Sequence, residues 1–62
     1  MRRIESGVYE TLNGAYRVER VKDPGYPVVW WVTERDNDTD THSTGFDSLK
    51  DAVAWLHQRG AE

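Results

Sequence analysis

Sixty-two residues, 37% apolar and 31% charged, suffice for one small core of marginal stability and are too apolar in pattern for a disordered chain. The lack of cysteine excludes a disulfide framework and a Cys-based zinc site. No window approaches a membrane span, and Arg2-Arg3 is not followed by the apolar stretch of a signal peptide, so a single cytoplasmic domain over 1–62 is expected.

The formal net charge of -3 argues against non-specific nucleic-acid binding. The sign is uneven, however. Residues 1–35 hold six basic side chains against five acidic ones, whereas 36–62 hold two against six. A local basic patch on the first half is compatible with that split.

In chain order, the pattern predicts strands over roughly 5–12, 15–21, 28–35 and 41–45, then a helix over about 48–59. Asn13-Gly14 separates two alternating runs and suits a type I′ turn. A two-residue loop pairs Leu12 with Ala15, Thr11 with Tyr16, Glu10 with Arg17 and Tyr9 with Val18. Tyr9, Thr11, Tyr16 and Val18 then share a core face, and Glu10 meets Arg17 on the other. Lys22 to Pro27 breaks the pattern, since Pro24-Gly25 favours a turn and Pro27 removes a ladder donor. The stretch 36–40 reads as a polar loop.

Ser48 and Asp51 have capping-box spacing. Leu49, Ala52, Val53 and Leu56 follow as one apolar stripe with Trp55 at its flank, and Gly60 is a natural stop. One such helix covers one face of a small sheet and no more. The expected fold is α+β: three or four antiparallel strands with one C-terminal helix packed on one face.

That leaves Trp30 and Trp31 in need of two environments. Consecutive strand residues point to opposite faces, so both indoles cannot enter the same core. The parity of Val28, Trp30 and Val32 is more continuously apolar, which assigns Trp30 to the core and Trp31 to the outer face. Trp31, Arg17, Arg35, Glu19 and Thr33 then form a candidate partner-binding face, because an exposed Trp beside Arg is a common hot-spot composition. Burying that Trp in a partner is worth on the order of 2–3 kcal/mol.

The segments Ser6-Gly7-Val8-Tyr9, Asn13-Gly14-Ala15-Tyr16-Arg17-Val18, Gly45-Phe46-Asp47-Ser48 and Ala54-Trp55-Leu56 resemble the AP2-like arm-binding domain of phage-type tyrosine integrases. Members of that family lay their sheet in the DNA major groove. The resemblance implies a DNA-binding accessory protein of phage or bacterial origin, with Arg17, Arg20 and Arg35 as contacts.

Other motifs have simpler readings. Asp36, Asp38 and Asp40, with Asp47 at the twelfth position, imitate calcium-loop spacing, but Thr41 stands where that loop needs Gly. A surface loop is the simpler account. His42 and His57 lie on different elements without a third ligand, so no metal is expected. Ser6 and Ser43 lack a nucleophile–His–acid arrangement, and Ser48 is explained as a cap. A non-catalytic binding module is therefore expected, with no cofactor, no membrane partner and no small-molecule substrate. It would act by protein–protein contact or homo-oligomerisation through the uncovered sheet face, with DNA binding as the alternative.

Overall fold

The computed structural model describes residues 1–36 and 39–61. Its strands are β1 (Arg2–Glu5), β2 (Val8–Glu10), β3 (Tyr16–Val21), β4 (Val29–Asp36) and β5 (Thr39–Phe46), followed by the helix α1 (Leu49–Gln58). The strands form one antiparallel sheet in chain order, with α1 packed on one face. The α+β class is as the pattern predicts, with five strands where three or four were expected.

The fifth strand comes from dividing the segment 5–12. Gly7 turns the chain at φ 77, a left-handed conformation that glycine adopts without steric cost. Residues 2–5 then fold back on β2, pairing Arg2 with Glu10 and Arg3 with Tyr9.

The β2–β3 register is the expected one, Tyr9 with Val18 and Glu10 with Arg17. Its loop differs from the two-residue turn. The Thr11 carbonyl accepts from Gly14 N–H at 2.9 Å, and Thr11 N–H donates to Tyr16 at 3.0 Å, so the loop spans 12–15. The cause is Asn13, whose Oδ1 accepts from Ala15 N–H at 3.0 Å and from the Thr11 hydroxyl at 2.8 Å. Ala15 is thereby drawn away from Leu12, which stays exposed. Lengthening the loop by one residue on each side leaves the ladder below it unchanged.

The expected loop over 36–40 is also shorter. β4 continues to Asp36, and β5 begins at Thr39. Asp38, part of the calcium-like spacing, lies outside the described residues.

Val18, Val32, Ala52, Leu56 and Ala61 are the buried core, with Met1, Tyr9, Tyr16, Trp30, Phe46, Leu49 and Trp55 packed around it. Trp55 meets the rings of Tyr16 and Phe46 at centroid distances of 6.0 and 5.7 Å. Such contacts add to the area the rings bury. Ser48 caps α1 by accepting from Asp51 N–H at 3.1 Å.

At the other end of α1, Ala61 N–H donates to Leu56 and Gly60 N–H to His57, with Gly60 at φ 72. This is a Schellman closure, whose usual apolar contact is supplied by Ala61 and Leu56. It folds the chain back against the core.

Candidate functional site

Register and period place the outer-face residues in transverse rows. One runs Arg2, Glu10, Arg17, Thr33, Ser43, and the next runs Val8, Glu19, Trp31, Gly45. Val21 with Val29 extends the face at one end, and Arg35 with Asp40 at the other. No element among the described residues covers it.

Trp30 and Trp31 take the two environments their parity requires. Trp30 packs on the core and meets Tyr9 at 6.3 Å between centroids. Trp31 points outward and is 39% exposed. Its indole lies across Gly45: a Cβ built on that glycine would stand 3.3 Å from Trp31 Cζ3 and 3.1 Å from Val29 Cγ1. A bare glycine on β5 thus lets an aromatic ring lie flat against the strand.

The charges on this face are largely spent on one another. Arg2 donates to Glu10 at 3.1 Å, and Arg17 stands 3.7 Å from Glu10 and 3.9 Å from Glu19. Arg35 Nε lies 3.3 Å from Asp40 Oδ1. The hydroxyls of Thr33 and Ser43 bond to each other at 3.2 Å. Each pair has one partner at least a third exposed, and solvent screening there limits its contribution to stability. Their consequence is electrostatic, because each guanidinium already sits beside a carboxylate.

Of the residues singled out in the sequence, Arg17, Glu19, Trp31, Thr33 and Arg35 occur together here. Arg20 does not. It pairs with Trp30 and belongs to the helix side of the sheet. It stands three positions from Arg17, and an odd interval in a strand reverses the face. The proposed convergence of Arg17, Arg20 and Arg35 therefore fails at Arg20.

Glu10 stands opposite Arg17 as the hairpin pattern predicts, whereas the sequence pattern does not assign Arg2, Ser43 and Gly45 to this face, although they complete the rows. The period-two pattern of β5 could have supplied the last two. Arg2 becomes visible only once β1 is known to exist.

No group of three or more His, Cys, Asp or Glu among the described residues could hold a metal ion. His42 pairs with Glu34 in the ladder, while His57 is on the helix. No helix among the described residues is long and apolar enough to cross a membrane.

In comparisons with known proteins, the chain matches no family model, no curated protein and no solved structure.

Proposed function

We propose that the chain is a non-catalytic binding module that holds a protein surface, either another protein or a second copy of itself, against the outer face of its sheet. The observation that carries this reading is Trp31, a half-exposed indole at the centre of a face whose charges are already paired. A partner that covers it removes apolar area from water without stripping an isolated charge of solvent.

The face measures about 19 Å across five strands and about 20 Å along them, roughly 400 Å² in projection. That is about half the area per partner of a standard interface, so the contact belongs to the transient class.

A second reading follows from the AP2-like resemblance, in which Arg17 and Arg35 contact DNA from the same face. The carboxylates of Glu10, Glu19 and Asp40 beside those guanidinia oppose the approach of phosphates. Protein binding is favoured for that reason.

The experiment is light scattering across a concentration series, and capture of partners, for the native chain and for Trp31→Ser. Self-association or a captured protein lost in the variant supports the reading. A monomer at every concentration, with identical capture by both chains, overturns it. Duplex DNA binding that weakens steeply with salt would establish the second reading instead.

A further inference from the structure

The helix side of the sheet carries a second surface. α1 contacts β4 and β5, while an apolar groove of about 280 Å³ opens beside it, lined by Met1, Val53, Leu56 and Ala61. Its origin is a mismatch of widths. Five strands span about 19 Å between the outermost axes, and a helix is only about 10 Å thick. One helix therefore leaves part of its own face without a helix above it; Val18 there is already buried by the core side chains, and the groove opens where Met1 meets α1. Val53, in the apolar stripe of α1, stays 36% exposed on the groove side.

Cations predominate around the groove. On the helix, Lys50 stands at i−3 from Val53 and so shares its side. On the sheet, Arg3 pairs with Tyr9 and Arg20 with Trp30, which places both on the helix side. Arg3 lies two residues along β1 from Met1 in the groove wall. Among the described residues, Arg3, Arg20 and Lys50 have no ion-pair partner. The acidic residues of β1 and β2 are on the opposite face, since Glu5 pairs with Val8 and Glu10 with Arg2, and Glu34 of β4, opposite Tyr16, is the carboxylate that shares the helix side. Asp51 lies on the side of α1 away from Val53.

We propose that this groove receives an acidic amphipathic helix of a partner protein, lying alongside α1. A large apolar side chain of that helix enters between Val53, Leu56, Ala61 and Met1, and carboxylates one turn away on either side meet Arg3, Arg20 and Lys50. This is recognition by an apolar anchor in a groove, with the charged rim setting which helix is accepted. A second copy of α1 fits less well, since its own apolar stripe is flanked by Lys50 and would bring like charges together. A flat lipid surface cannot fill a concave groove.

The proposal is tested by nuclear magnetic resonance on the full chain, titrated with a synthetic helix of leucine, alanine and glutamate and with its lysine counterpart. The glutamate helix is expected to shift the resonances of Met1, Val53, Leu56 and Ala61 and to leave Trp31 and Thr33 in place. In Arg3→Glu/Arg20→Glu, both exposed positions, its affinity should fall about tenfold or more, and the lysine helix should bind in its place. Val53→Gln should weaken the glutamate helix without restoring the lysine one. Absent shifts, equal binding of both helices, or shifts centred on Trp31 overturn the proposal. Groove shifts produced only by phosphatidylserine vesicles also overturn it. The Trp31 face is read by separate resonances, so the two surfaces succeed or fail independently.

Discussion

Gly45→Ala tests whether the outer indole is seated where the geometry puts it. A Cβ at Gly45 would stand 3.1 Å from Val29 Cγ1, and 3.3 and 3.4 Å from Trp31 Cζ3 and Cη2. All three lie inside the optimum of about 3.5–4.0 Å for carbon pairs. Val29 is β-branched and stiff at χ1, so its contact is eased by a small backbone shift, and the indole is the side chain that swings away. With 39% of Trp31 exposed, about 150 Å² of a side chain of ~250 Å² is covered. Lifting the ring to expose half of that costs about 2 kcal/mol at ~25 cal/mol per Å². Alanine returns about 0.5–1 kcal/mol by restricting the unfolded chain.

The expected net loss is about 1 kcal/mol. Urea unfolding followed by tryptophan fluorescence should show a midpoint lowered by roughly 0.5–1 M, with red-shifted native emission. In a Trp31→Ala background the same Gly45→Ala change should cost less, because only the Val29 contact remains, a coupling of about 1–2 kcal/mol. A raised midpoint in the native background, or no coupling, would refute the seating of the indole on Gly45.

Ser48→Ala removes the oxygen that accepts from Asp51 N–H. It should cost about 1 kcal/mol and lower Tm by roughly 4–8 °C by circular dichroism. Leu56→Ala empties the largest fully buried side-chain position and should cost about 3 kcal/mol. That is a third or more of the ~3–9 kcal/mol expected for a chain of this size, measurable as lost urea resistance. Gly14→Ala forces a Cβ into a left-handed residue at φ 74 and should cost about 1–2 kcal/mol, whereas Leu12→Ser, at an exposed loop position, should change stability little.

What the residues disclosed in advance follows from how local each signal is. The hairpin register rests on Asn13-Gly14 between alternating runs, and the opposite facing of Trp30 and Trp31 on strand period alone. Both are properties of neighbouring residues. The opposite facing of Arg17 and Arg20 was equally available from that period. β1 was not legible, because Arg2-Arg3-Ile4-Glu5 has no alternation and earns its place only by pairing with β2. The four-residue loop depends on a side-chain bond from Asn13 that competes with the two-residue turn. The groove was hidden for a different reason. Val53 falls within the apolar stripe of α1, and its exposure arises from the width of a sheet whose strand number the pattern underestimated.

The boundaries of the sheet decide where this chain can meet another. Unpaired edge strands usually invite pairing, yet both edges are disrupted. β1 slips register between Arg3 and Glu5, leaving Ile4 over, and carries Arg2, Arg3 and Glu5. β5 slips at Thr41 and carries Asp40. Bulges and charges of this kind discourage strand addition. The remaining surfaces differ in electrostatic character. On the outer face, arginines alternate with carboxylates around an indole; beside α1, unpaired cations rim an apolar groove. An overall charge of -3 therefore conceals one neutralised surface and one basic surface. Since the two lie on opposite faces of the sheet and share no side chain, Trp31→Ser should leave affinity for the glutamate helix unchanged, and Arg3→Glu/Arg20→Glu should leave any Trp31-dependent association unchanged. Loss of both by either variant would mean that the faces act as one site.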